Sequence, residues 1–545
     1  MNTHPPEQPA ADVRRVRAAG VMCLGLFMLG MDLTVLNVAV PELRDALGAT
    51  TAQVQWIVDA YALVLGGAVL AVGALTDRWG RRRCFVAGVS VCAAASVAGA
   101  LAAHPWQVIT ARCVMGAGAA LLMPATLGVL HQLFPEPHLR SRAIAAWAAV
   151  GGLGGLSGPI MGGWLVEHVS WRGAFWVNLP LAAVIVTAAW RHVPRSLPRR
   201  LAGFDGVGAA LSTSGLLALV WSIIEGPHRG WTSWQVLSGF VIAALVLGVF
   251  LGWERRATTP MLPLALLARP GIGVAAAALA LMSFALFGAL FVLTLYLQGV
   301  LGYSPFDAGI RTLPLPAGLA AGAGCAVWAQ RRFGLRATVV TGLLLVCGSF
   351  LVWATTTDQS GYAHCAAFQV LAGLGAGLVA AASTQSVMES VPTEQAGLGS
   401  AINDATRQVG STLGVAVQGS LLTSVSTDRL LDALAPLDVP PHIADTARHS
   451  LLAVPAQAGQ LPPALRLAVL SEARHAFVQA LSFTAAVAAV VTLLTAAAAA
   501  RWLIPSPWPA PSAAPEASAT PVNARLPQPG TRTDLTPQSP PPSRS

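Results

Sequence analysis

Lysine is absent from all 545 residues, so the 33 basic side chains are arginine throughout. A phosphate-cradling loop of the form GxxxxGK[ST] therefore cannot exist, which excludes ATP hydrolysis by that device. Charge of either sign is scarce: 10% of residues are charged against 54% hydrophobic, with a mean hydropathy of +0.62. No soluble surface can be built from that composition. The seven cysteines, Cys23, Cys84, Cys92, Cys113, Cys325, Cys347 and Cys365, fall in apolar runs with no CxxC spacing and no histidine cluster beside them. They read as packing residues. Neither metal-ligand spacing nor a nucleophile beside a base occurs where the runs end, so the chain is expected to be no enzyme and to need no cofactor or metal. The net charge of +9 is spread over short loops, which argues against nucleic acid as a partner.

Apolar runs recur from residue 18 to residue 500. About 20 residues at ~1.5 Å each cross a hydrocarbon core about 30 Å thick. Arg14, Arg15 and Arg17 precede the first run, but no small-residue cleavage site follows it, so it reads as a span and not a removable leader. The breaks between runs predict an all-α membrane protein of about fourteen spanning helices, near residues 18–40, 54–75, 84–103, 107–130, 143–166, 172–190, 206–224, 235–253, 272–298, 308–328, 337–356, 363–387, 397–423 and 475–500. Arginines gather in alternate loops: Arg78 with Arg81, Arg82 and Arg83; Arg140 with Arg142; Arg191, Arg195, Arg199 and Arg200; Arg255 with Arg256; Arg331, Arg332 and Arg336. The positive-inside rule puts those loops and both termini in the cytoplasm, with the chain in the inner membrane.

Residues 1–17 then form a cytoplasmic tail, 18–190 a six-helix bundle, and 191–271 an inserted helix pair with its linkers. Residues 272–500 form a second six-helix bundle interrupted by an outside loop at 424–474. In that loop Leu430, Leu431 and Leu434, then Leu465, Leu467 and Leu470, sit at helical spacing and predict a helical cap on the membrane surface. Residues 501–545 are rich in Pro, Ser and Ala, cannot bury a core, and are expected to be a disordered cytoplasmic tail.

The two bundles are related by an internal repeat. Arg112, Gly116, Gly118, Pro135 and Gly162 reappear as Gln369, Gly373, Gly375, Pro392 and Gly419 at one constant offset, and Arg78-Trp79-Gly80-Arg81-Arg82 recurs as Arg332-Phe333-Gly334-Leu335-Arg336 at nearly the same offset. Parallel repeats of this kind place a substrate site on the pseudo-two-fold axis near the bilayer midplane.

The segment Gly73-Ala-Leu-Thr-Asp77-Arg78-Trp-Gly80-Arg81-Arg82-Arg83 resembles the signature loop of the major facilitator superfamily. Met31-Asp32-Leu-Thr34-Val-Leu-Asn37-Val-Ala-Val-Pro41, Trp56-Ile-Val-Asp59-Ala-Tyr61 and Trp171-Arg172-Gly-Ala-Phe175-Trp-Val-Asn178-Leu-Pro180 resemble that superfamily's fourteen-span drug:proton antiporter family. Gly154-Gly155-Leu-Ser-Gly158-Pro159-Ile-Met-Gly162-Gly163 is similar to the antiporter motif of the same family. These motifs lie between residues 31 and 180, and the resemblance is taken to extend over the whole chain. In the signature loop, Gly73 allows close helix approach, Gly80 permits the turn, and Asp77 can pair with Arg78, Arg81 or Arg82 as a cytoplasmic latch. The bland alternative is a positive-inside anchor. In the antiporter motif Gly151, Gly155, Gly158 and Gly162 share one helical face and Pro159 removes a ladder bond, which suits close packing and a bend.

Carboxylates inside spans carry the coupling argument, because an aspartate at the midplane costs about 3 kcal/mol. Asp32 is the leading candidate for the titrating group, with a neutral, hydrogen-bonded structural aspartate as the alternative. Asp59 shares a seven-residue stripe with Gly66 and Gly73 and so faces another helix; it is the candidate for a second proton-coupling site, with a simple pairing to arginine as the alternative. The resemblance implies that Arg112 is the buried arginine of proton-coupled members, holding a carboxylate ionised; the alternative is a purely structural ion pair. Asn403, Arg407, Gly410, Gly414 and Gln418, with Asp404 one step round, form a stripe expected to line the substrate cavity, together with Asn37, Tyr61, Phe287, Phe291 and Tyr296. Because Gln369 replaces Arg112 in the second repeat, coupling is expected to sit in the first half. The resemblance implies proton-coupled efflux of small, mostly apolar compounds by a functional monomer. An exporter of one endogenous metabolite and a non-transporting membrane sensor are the rivals.

Overall fold

The computed structural model describes residues 8–503 except 135, 195–204, 259, 261–263, 390–395, 438, 441–442, 445, 447–453 and 460; the described residues contain no strand. The tail expected over 501–545 therefore falls almost wholly outside them, as does Pro392 of the repeat. The first half comprises α1 (Gln8–Leu47), α2 (Thr51–Trp79), α3 (Arg81–Ala100), α4 (Pro105–Leu133), α5 (Pro137–His168), α6 (Gly173–Trp176) and α7 (Asn178–His192). Then come α8 (Gly206–Arg229), α9 (Trp234–Glu254) and α10 (Leu264–Leu267). The second half comprises α11 (Pro270–Gly299), α12 (Pro305–Arg311), α13 (Pro314–Ala354), α14 (Tyr362–Glu389), α15 (Ala396–Leu434), α16 (Val454–Ala458) and α17 (Pro463–Trp502).

Among the described residues twelve helices are long and apolar enough to cross a membrane. One of the twelve, Pro305–Ala354, contains Gly334 at φ 85°, a break in the helical path. Long α15 is not among the twelve because polar residues interrupt it: Asn403, Asp404, Arg407, Gln408 and Gln418. Exposed tryptophans flank the spans, with Trp106, Trp164 and Trp234 at the arginine-poor end and Trp79, Trp190, Trp328 and Trp502 at the arginine-rich end. Indole rings at both depths suit the two interfaces of a bilayer.

Two segments outside the expected spans are helical. Helix α1 begins at Gln8, so residues 8–17 form its first turns; Arg15 lies 3.8 Å from Glu136. In the segment 424–474, α15 runs on to Leu434 and α17 starts at Pro463. Its leucines therefore lie on α15 and α17, with Leu430 and Leu434 buried in the core of the second half and Leu467 exposed.

The repeat holds at the level of contacts. A Cβ on Gly88 would meet Gly118 O at 2.6 Å, and one on Gly342 would meet Gly375 O at 2.8 Å. A Cβ on Gly116 would meet Tyr61 O, and one on Gly373 would strike Leu315 O. Gly80 and Gly334, the paired turn glycines, have φ of 91° and 85°, a conformation that side-chain-bearing residues avoid. Each half has its own apolar core, one built from α1–α7 and the other from α11–α17. Helix α8 lies in the seam, where Ser212 Oγ donates to Gly67 O of α2 (3.3 Å) and Ser420 Oγ of α15 donates to Ile223 O (2.8 Å).

Candidate functional site

Asp32 is 4% exposed in the middle of α1, and both its carboxylate oxygens are engaged. Arg112 of α4, 1% exposed, donates from Nη1 to Asp32 Oδ2 at 3.0 Å; Asn178, the first residue of α7, donates from Nδ2 to Asp32 Oδ1 at 2.9 Å. The guanidinium is held on two other sides: Nε donates to Ile57 O of α2 (3.2 Å), and Cζ lies 4.4 Å above the Tyr61 ring. Asn178 Nδ2 also donates to Ser96 Oγ of α3 at 3.1 Å. Five helices thus converge on one carboxylate. An ion pair so deeply buried survives only with such added hydrogen bonds, because each charge has lost its hydration.

The second half supplies a control. Gln369, at the position of Arg112, donates from Nε2 to Arg311 O at 2.9 Å, and Arg311 stands at the position of Ile57. The tie between helices is kept and the charge is dropped. At this position the ion pair belongs to the first half alone.

Asp59 does not join this group: among the described residues no hydrogen bond or ion pair links it to Asp32 or Arg112. It is 1% exposed, its Oδ2 meets no partner, and it lies one turn from Gln55 on the face of α2 turned to α15. On that face Gly66 abuts Gln408 and Gln55 fills the notch at Gly419. The surroundings of Gly73 and the side chains of Asp77 and Arg78 lie outside what the structure describes. Of the remaining loop residues, Gly80 makes the turn, Arg81 donates to Gly128 O of α4, and Arg82 donates to Val193 O (3.1 Å) and Trp190 O (2.8 Å) at the end of α7.

The glycine motif of α5 serves two neighbours. Gly154, Gly158 and Gly162 abut the α1 backbone at Phe27, Met31 and Val35, while Thr34 Oγ1 donates to Gly155 O at 3.0 Å. Gly163 and Pro159 instead face α12 of the second half, at Pro305 and Gly309. At the same arginine-poor end the Glu167 carboxylate accepts from Ser304 Oγ (2.9 Å) and Phe306 N (3.3 Å), and Gln298 Nε2 donates to Val38 O (3.0 Å).

The residues expected to line a cavity are mostly packed. Gly410 and Gly414 abut Ala280 and Phe284 of α11, and Gln418 Nε2 donates to Phe284 O at 2.9 Å, so this stripe is a helix–helix seam; glycine rows invite close backbones. Phe291 and Tyr296 lie in the second-half core, where Tyr296 stacks on Phe477 and donates to Ser360 O (3.2 Å). Tyr61 sits under Arg112, and Asn37 is 6% exposed with its Oδ1 unpartnered. Phe287 is half-buried. Asn403 Oδ1 accepts from Thr384 Oγ1 (2.9 Å), and Arg407 lies 3.4 Å from Asp404. Asn178 and Ser96 were missed as site residues. Asn178 lies inside a motif singled out above, but nothing in one sequence says that it reaches a residue 146 positions away.

Two repeated helical bundles, with an ion pair buried in one of them, define a polytopic membrane transporter. The profile of the Major Facilitator Superfamily matches residues 22–415, and the chain belongs to that family. It is 33% identical over 488 residues to the "Tetracenomycin C resistance and export protein" of Streptomyces glaucescens, covering 88% of this chain and 90% of that one. It is 32% identical over 485 residues to the "Multidrug efflux pump LfrA" of Mycolicibacterium smegmatis, covering 88% and 94%. Among solved structures, a bacterial homolog of the human lysosomal transporter Spinster, inward-facing and unoccupied, aligns with a TM-score of 0.59 at 17% identity over 91% of this chain and 99% of that one.

Proposed function

We propose that the chain is a fourteen-span antiporter that exports small, mostly apolar or amphiphilic compounds, drugs and antibiotics among them, in exchange for protons. The twelve apolar helices become fourteen spans when Pro305–Ala354 is divided at Gly334 and α15 is added. The arginine-rich end and both termini face the cytoplasm, and the protein works as a monomer in the inner membrane. The observation that carries this reading is the buried Asp32–Arg112 pair, present in one half and replaced by an uncharged tie at Gln369 in the other. A proton arriving at Asp32 releases Arg112 and biases the rocking of the two bundles. Moving one charge inward across about 100 mV supplies ~2.3 kcal/mol, enough for a roughly fiftyfold substrate gradient.

The names of the relatives also favour a second reading, an exporter dedicated to one compound, since several are named for a single antibiotic. Ethidium efflux from energised cells decides between them. Efflux that collapses with a protonophore and in Asp32→Asn supports the broad, proton-driven reading. A folded, membrane-inserted protein that ignores ethidium refutes it in favour of the dedicated exporter.

A further inference from the structure

The hydrogen bonds around Asp32 leave one atom over. Asn178 spends both amide hydrogens, on Asp32 Oδ1 at 2.9 Å and on Ser96 Oγ at 3.1 Å, while its own Oδ1 is buried without a partner. A residue that only had to hold an anionic carboxylate would gain nothing from a carbonyl there. The partners of Asp32 also differ in what they can do. Arg112 can only donate, so it satisfies the carboxylate and has nothing to offer a carboxylic acid proton. An asparagine amide is both donor and acceptor, and turning it over about its last torsion exchanges the two.

We infer that Asn178 is a positioning residue that serves both protonation states of Asp32, donating to the carboxylate and, after its amide turns over, accepting from the carboxylic acid. Turning the amide puts the carbonyl oxygen where Nδ2 now sits, within reach of Asp32 Oδ1 and of Ser96 Oγ. Ser96 can follow, because its hydroxyl now points at the Met115 thioether sulfur, 3.8 Å away, a weak acceptor that it gives up at little cost. The number of hydrogen bonds made by Asn178 is unchanged, and one unpartnered amide atom replaces the other. Arg112 is then free to leave while the protonated acid stays satisfied. The proton on Asp32 is thereby held by a hydrogen bond that does not compete with the cation. This inference rests on Asp32 being the proton-carrying group.

The test is an infrared difference spectrum, alkaline minus acid, of the full-length protein in liposomes. Labelling with 13C-asparagine identifies the amide, since asparagine occurs only at positions 2, 37, 178, 403 and 523. The expected result is a protonated-carboxyl band that disappears in Asp32→Asn, accompanied by an asparagine carbonyl band that disappears in Asn178→Leu. Ser96→Ala, a milder change that guards against misfolding of the leucine variant, should keep the carboxyl band and shift the amide band. A carboxyl band assigned to Asp32 with no asparagine band beside it overturns the inference alone. A carboxyl band that survives in Asp32→Asn removes the coupling reading, and the inference with it.

Discussion

Arg112→Gln copies into the first half what the second half already contains. From the geometry of Gln369, a glutamine at 112 keeps the donation to Ile57 O and loses the ion pair to Asp32 and the contact with the Tyr61 ring. The pair's side chains are only 2% and 6% exposed. Removing one member therefore strands the other away from water, which costs about 3–5 kcal/mol. Asp32→Asn strands Arg112 in the same way. The double variant leaves two neutral amides, so its loss should be smaller than the sum of the single losses by about 2–3 kcal/mol. Thermal unfolding of the four purified proteins in one detergent measures the cycle. Uphill efflux should be lost in all three variants, whereas downhill equilibration of substrate should return in the stable double variant. Additivity within about 0.5 kcal/mol would refute the idea that the pair is an energetic unit.

Gly158→Val should cost about 1–3 kcal/mol and lower the yield of folded protein, since its Cβ would strike Thr34 Oγ1 and crowd Met31 O at 2.9 Å. Gly152→Ala on the same helix meets nothing within 4 Å and should be neutral or raise the melting temperature slightly. Gly80→Ala and Gly334→Ala should each cost about 1–2 kcal/mol in the same unfolding assay, because both turns need positive φ. Glu167→Gln weakens the ties to Ser304 and Phe306, and should lengthen the distance between spin labels at His168 and the exposed Ile310 as the arginine-poor end opens more often.

What could be read from the sequence was whatever leaves a periodic or repeated trace. The offset between halves located Gly80 with Gly334 and Arg112 with Gln369; the first pair shares a positive φ and the second an equivalent hydrogen bond to a backbone carbonyl. The small-residue spacing of α5 marked a face of Gly151, Gly155, Gly158 and Gly162; Gly158 and Gly162 abut the α1 backbone, as does Gly154 from outside that face, while Gly151 meets the Leu26 side chain. The stripe on α15 could not be assigned from the sequence, because a row of glycines and polar residues looks the same whether it faces water or a neighbouring backbone. Only the position of α11 decides, and periodicity within α15 carries no information about it. The same holds for Phe291 and Tyr296, whose rings are apolar in either setting. Asn178 could not be found as a partner of Asp32, because a neutral residue at the start of a span shows neither charge nor period.

If the two bundles rock as proposed, helix α8 is a third body to be accommodated. Besides apolar packing on both flanks, it is hydrogen-bonded to the first half through Ser212 and to the second through Ser420. If the bundles swing against each other, α8 cannot keep step with both. On each stroke it must travel with one and slip along the other, so one of these serine bonds has to open and re-form per half-cycle. Which serine lets go determines whether the inserted pair is cargo of the first bundle or of the second.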